Sequence, residues 1–232
     1  MSTPISQHPD PATLMSFAAG SLSEPLAAAV AAHASMCAGC RTELDDMDLM
    51  GAALLGASTA APGGGVPAPA RPRDTLSSAI GPHNRRSPND KLPAPIARQY
   101  GITLDTIPWK RLAPGVWQHR LPLSPGVNGD LRFYKLAPGA KLPDHGHAGA
   151  ELTLVLDGIV VDGPNRCHVG DLHEVDDQVE HEPGADNEVG CICLVASEGP
   201  PRLTGWRGLV LRLLHRWRRR SHTESGAANK LG

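Results

Sequence analysis

The sequence predicts two small domains, an all-α head followed by an all-β antiparallel barrel or sandwich. Three observations carry this. The first 55 residues repeat apolar side chains at helical spacing, behind residues that cap helices. A Gly/Pro-rich stretch without periodicity comes next. Beyond it, short extended runs alternate with Gly and Pro turns. A length of 232 residues also suits two compact units better than one.

In the head, Pro11 to Ala19 reads as a first helix, with Asp10 as its cap and Pro11 at the first position. Leu14, Phe17 and Ala18 share one face, and Gly20 ends it. Ser23 caps a second helix that tolerates Pro25 in its first turn, and Leu26, Val30 and His33 then form a stripe. A third helix spans Ala38 to Leu55, with Leu44, Met47, Leu54 and Leu55 as its expected core residues. The linker covers about residues 56–74, and Asp74 is placed to cap a short helix over about 75–80. The head is therefore residues 1–80.

After a second zone rich in Pro, Asn and charge (Gly81 to Pro95), the extended runs are Val116 to His119, Leu131 to Leu136, Leu152 to Leu156 and Cys191 to Val195. Their spacing assigns residues 93–201 to the β domain. Residues 202–232 form a basic tail.

The formal net charge of -2 hides an asymmetry. Residues 1–55 carry six acids and one base, whereas residues 200–232 carry eight bases and one acid. An acidic head argues against a zinc-finger DNA binder. The tail, from Trp206 to Arg220, has the pattern of a basic amphipathic helix. A solvated helix capping the barrel explains it better than a membrane-surface segment. There is no secretory signal and no run of about 20 apolar residues, so no membrane span is expected. Five cysteines in a chain of this size make no disulfide scaffold, and the expected compartment is the cytoplasm.

The first chemical constellation is His33-Ala-Ser-Met-Cys37-Ala-Gly-Cys40, an H-x3-C-x2-C run. On a helix these positions stand at i, i+4 and i+7, one narrow stripe. Three soft or borderline ligands converging there suit zinc, which takes four in a structural site, and His8 supplies the fourth. A redox dithiol fits less well, because such a motif follows a strand and opens a helix. Here the sequence resembles the zinc-binding anti-sigma factors, through His8, Leu14 to Gly20, Ser21 to Glu24, and His33-x3-Cys37-x2-Cys40. That resemblance implies a head that wraps an extracytoplasmic-function sigma factor and blocks its access to core polymerase and promoter DNA.

The second constellation is Gly139-x5-His145-x-His147-x3-Glu151-x6-Gly158. Positions 145, 147 and 151 have the same parity, so in extended chain two imidazoles and a carboxylate point to one side of a divalent metal. The run matches the first cupin motif. Gly170 followed by His181 keeps the spacing of the second, although Asp176 and Gln178 stand where its Pro and inner Gly are usual. The predicted barrel ligands are His145, His147, Glu151 and His181. Cys191 and Cys193 share a strand face and are candidate redox thiols, or else two small apolar residues. His83, His119, His168, His173 and Cys167 are read as surface or loop residues.

Together the two constellations resemble the ChrR-type anti-sigma factors up to about Pro201. The resemblance implies a non-enzymatic regulator in a 1:1 complex with its sigma factor. It further implies zinc in both sites, two per chain, and a cupin needed for release by singlet oxygen or related peroxides. The rival reading is a cupin oxygenase using iron or manganese, with the head as a docking module.

Overall fold

The computed structural model of the chain describes residues 3–57, 92–146, 148–199 and 202–203. Helix α1 (Pro11–Ala18) opens on Asp10, whose carboxylate accepts the Ala12 amide, and buries Leu14 and Phe17. Gly20, in the left-handed region at φ 67, turns the chain toward α2 (Glu24–Met36).

Helix α2 has no polar face: every residue from Pro25 to Ala34 is buried. Ala27, Ala28, Ala29, Ala31, Ala32 and Ala34 make it thin, so neighbours approach it on all sides. It ends at Met36. Cys37 leaves helical geometry (φ -101, ψ 114), and α3 (Ala38–Ala57) begins at the next residue. The H-x3-C-x2-C run is thus bent around a corner between two helices rather than laid along one. On α3, Leu44 is buried and Met47 half-buried. Leu54, an expected core residue, is 73% exposed, because little of the described chain covers α3 beyond Met47. The Leu55 side chain, the expected helix at 75–80 and the tail beyond Leu203 lie outside the described residues.

A fourth helix, α4 (Ala94–Tyr100), was not anticipated. Its Pro93-Ala94-Pro95 start reads as loop in the sequence, yet proline in a first helical turn is a start signal. The barrel follows as β1 (Lys110–Ala113), β2 (Val116–Arg120), β3 (Asp130–Leu136), β4 (His145–Gly146), β5 (Glu151–Gly158), β6 (Val160–Asp162), β7 (Asn165–Cys167), β8 (Leu172–Val175), β9 (Gly184–Ala185), β10 (Cys191–Ser197) and β11 (Arg202–Leu203). All pairings are antiparallel. A six-stranded sheet runs β1-β2-β3-β10-β5-β8, beside a three-stranded sheet β7-β6-β9 and the pair β11-β4. The four expected runs are β2, β3, β5 and β10. Strands β6 to β9 have two to four residues each, too few to show a two-residue period.

The central strands are apolar on both faces. Leu152, Leu154 and Leu156 of β5, with Leu131, Phe133, Leu194 and Ala196, join the core of helices α1 to α4. Val155, with Leu136, Cys191 and Cys193, faces the barrel interior. The leucine alternation that marks β5 in the sequence therefore belongs to the face under α2, opposite Glu151. Head and barrel share one core across the sheet.

Because α2 has no free side, enlarging it overpacks the core. Ala28→Leu is expected to lower the unfolding free energy by ~1–3 kcal/mol. Urea denaturation of the full chain checks this, and an unchanged midpoint would mean α2 is not enclosed.

Two candidate metal centres

The first centre lies at the α2–α3 corner. His33 comes from the last turns of α2, Cys37 from the corner and Cys40 from the first turn of α3. His8 comes from an extended strap ahead of α1. The four ligand atoms all lie within 4.8 Å of one another, with His33, Cys37 and Cys40 buried and His8 exposed. His33 Nε2 stands 3.3 Å from Cys40 Sγ, and His8 Nδ1 stands 3.5 Å from Cys37 Sγ and 3.4 Å from Cys40 Sγ. The group is a metal-capable site.

Its outer partners come from the barrel. His33 Nδ1 donates to the Gly170 carbonyl at 2.8 Å, which leaves the Nε2 lone pair aimed at the thiols. The strap is tied to Asp171, whose Oδ1 accepts the amides of Ser6 (2.7 Å) and Gln7 (3.0 Å). The Leu172 amide donates to the Gln7 carbonyl, and Glu174 accepts the Asp10 amide and the Thr13 hydroxyl. Gly170 sits at φ 95, and a Cβ there would lie 2.6 Å from Ile5 Cδ1. Burial holds the His33 imidazole neutral, down to about 4, against the pull of the Gly170 carbonyl. Burial and the neighbouring Cys37 push the Cys40 thiol up to about 12, so a cation is needed to draw out its thiolate.

The second centre is inside the barrel. His145, Glu151 and His181 offer ligand atoms within 4.8 Å of one another, and all three are buried. His145 and Glu151 lie on separate strands, β4 and β5, joined through a bend at Gly149 (φ 97), not on one extended segment. His181 faces His145 across an isolated bridge, with ring centroids 4.8 Å apart. His147 lies outside the described residues.

Here too each described imidazole is oriented through Nδ1. His145 donates to the Pro143 carbonyl at 2.8 Å, and His181 donates to Asp162 Oδ2 at 2.6 Å. Each ring can therefore offer Nε2 to the centre. Burial pushes the Glu151 carboxyl up to about 7, against the pull of His181. Burial opposes charge on His181, but Asp162 and Glu151 together carry it above its ordinary value. Asp162 is itself buried, and the hydrogen bonds from His173 and His181 hold its carboxyl well below the usual range. Cys191 and Cys193 both point into the barrel, and the Cys193 thiol is pushed up by its hydrogen bond with Cys191 and by burial.

Two residues read as surface or loop are neither. Cys167 is fully buried in the barrel core, and its thiol donates to Gln7 Oε1 at 3.3 Å. His173 on β8 meets Gln7 Oε1 through Nδ1 at 3.1 Å and Asp162 through Nε2 at 3.4 Å. Asp162 and Asp171 carried no motif. Only their neighbourhood in space gives them roles. Among the described residues no helix is long and apolar enough to cross a membrane.

Fold and ligand sets together define a class of protein, a metal-capable helical head carried on a cupin-like barrel. Residues 97–199 match the family described as the ChrR cupin-like domain. Over 204 residues, 87% of this chain and 94% of the relative, the sequence is 35% identical to the anti-sigma-E factor ChrR of Cereibacter sphaeroides. The fold is similar to that in the crystal structure of Rhodobacter sphaeroides SigE in complex with the anti-sigma ChrR. There the identity is 35% and the TM-score 0.68, over 84% of this chain and 100% of that one. The chain belongs to the ChrR family of anti-sigma factors. Membership in a family of regulators sets aside the oxygenase reading.

The raised Glu151 and His181 pKa values give the barrel centre a proton dependence. Both groups must surrender a proton before they can hold a cation. The affinity of the barrel centre for a divalent metal is expected to fall at least about tenfold per pH unit below about pH 7. Chelator competition across about pH 6 to about pH 8 checks this. A flat profile would mean that neither Glu151 nor His181 holds a proton across that range.

Proposed function

We propose that this chain is a cytoplasmic anti-sigma factor. It holds an extracytoplasmic-function sigma factor inactive in a 1:1 complex and releases it under oxidative stress, by singlet oxygen or organic peroxides, through its cupin domain. The observation that carries the reading is the 35% identity over 87% of the chain, a span too long to leave out either head or barrel. In functional terms residues 1–80 bind the sigma factor and residues 93–201 respond to the signal. The relative's partner, SigE, indicates the class of partner proposed for this chain.

Exposed apolar side chains support a partner on the head. Met15 on α1 and Leu49, Met50 and Leu54 on α3 are 59–73% exposed, and the exposed Glu43, Asp45, Asp46 and Asp48 precede the last three along α3. Such a surface suits a partner with basic and apolar features.

Zinc is the proposed ion in both centres. Two thiols and two imidazoles are a zinc set, and a tetrahedron with zinc bond lengths has edges of about 3.3–3.8 Å. The spacings of 3.3, 3.4 and 3.5 Å in the head match those edges. When bound, the metal supplies the cross-link between strap, α2 and α3. In the barrel, His145, Glu151 and His181, with His147, complete a four-ligand set that also accepts iron or manganese. Cys191 and Cys193 are the proposed redox pair. Their oxidation to a disulfide passes two electrons to a peroxide, which leaves as alcohol and water with the two thiol protons. Both are buried free cysteines, so an oxidant has to reach the barrel interior.

Co-purification from cells with metal counting tests the reading. The expected result is one sigma factor and two zinc ions per chain; a full chain that captures no sigma factor sinks it. Leu49→Glu with Leu54→Glu is expected to weaken capture at least about tenfold at unchanged metal content. Cys191→Ser with Cys193→Ser is expected to keep capture and abolish peroxide-driven release in a reporter assay. Normal release in that variant would remove the redox role.

A further inference from the structure

The two centres are joined by a row of side chains that neither ligand set uses. His181 aims Nε2 at the barrel centre, 3.6 Å from Glu151 Oε1, and Nδ1 at Asp162 Oδ2, 2.6 Å away. That same Oδ2 lies 3.4 Å from His173 Nε2. On the other side of its ring, His173 Nδ1 lies 3.1 Å from Gln7 Oε1. Gln7 immediately precedes His8, the exposed ligand of the head centre.

We propose that Asp162, His173 and Gln7 form a relay of positioning residues, through which a metal in the barrel tightens the hold of the His/Cys centre on its own ion. This rests on the reading of both clusters as metal sites. The physical basis is orientation. A cation on Nε2 fixes the His181 ring, and the ring fixes the one Asp162 oxygen that both histidines share. That oxygen and the Gln7 amide then hold His173 from opposite sides. With the ring of His181 released, the shared oxygen loses its set position and the strap loses one of its side-chain anchors. His8 is the ligand affected, because His33, Cys37 and Cys40 are held by the buried α2–α3 corner. Coupling of this kind is reciprocal, so an ion in the head also stiffens the barrel centre.

The test uses the full chain loaded with cobalt(II), whose thiolate charge-transfer band reports only the centre that contains Cys37 and Cys40. The rate of cobalt loss to a chelator is measured with the barrel centre intact and with it disabled by Glu151→Ala. Both measurements are repeated in Gln7→Leu, which leaves every proposed ligand in place. In the wild-type background Glu151→Ala is expected to accelerate loss about fivefold or more, and in Gln7→Leu it is expected to change the rate by less than about twofold. Asp162→Asn and His173→Phe repeat the measurement at the other two links, and circular dichroism confirms that each variant is folded. Equal rates with and without Glu151 in the wild-type background overturn the relay, and so does an acceleration that persists in Gln7→Leu. The two levels of the argument separate by stoichiometry. A chain that takes up one cobalt in place of two overturns the barrel metal reading, and the relay with it. Two cobalts lost independently overturn the relay alone.

Discussion

Strands β5 and β10 are buried on both faces, and the arrangement of both centres follows from that constraint. One face of β5 carries Leu152, Leu154 and Leu156 beneath α2, and the other carries Glu151 and Val155 into the barrel. Full burial of a leucine contributes ~1.5–3 kcal/mol. The face toward the helices is thus a principal source of cohesion between head and barrel. A sheet that is core on both sides cannot slide by one residue without exchanging its leucines for its ligand. The register that seats the head therefore also seats Glu151.

The alanine helix meets the same constraint from the other side. A helix wedged between a sheet and three other helices has room for methyl groups and little more. The only large polar side chain in its buried run from Pro25 to Ala34, His33, is admitted because the Gly170 carbonyl and the Cys37–Cys40 corner satisfy both ring nitrogens. The outer partners of the head's ligands, Gly170 for His33 and Asp171 for the strap that bears His8, both belong to the turn that enters β8. A centre whose ligands come from the head is oriented by the barrel.

Much of this was legible in the sequence, and the rest was not for physical reasons. Caps and periodicity mark α1 to α3, and the spacings at 33, 37 and 40 and at 145, 151 and 181 mark side chains that the fold brings together. Local pattern registers what lies within a few turns of chain. The partners that aim the ligands are remote: Gly170 is 137 positions from His33, and Asp171 is 164 from Gln7. His173 and Cys167 read as loop residues because strands of three or four residues carry no period, and only their burial against Gln7 gives them a place. Leu54 was misassigned for the opposite reason. A helical stripe signals an apolar face, and says nothing of whether this chain or a partner covers it.

The carbonyl that holds His33 also sets an order of events during synthesis. A ribosome releasing the chain from its amino end presents His8, His33, Cys37 and Cys40 long before Gly170 and Asp171 exist. Until then the strap has nothing to lie on and the imidazole of His33 has no fixed tautomer. The nascent head can bring its thiols near one another, but the finished arrangement of the four side chains waits for β8. The earliest-made part of the protein is in this sense the last to mature.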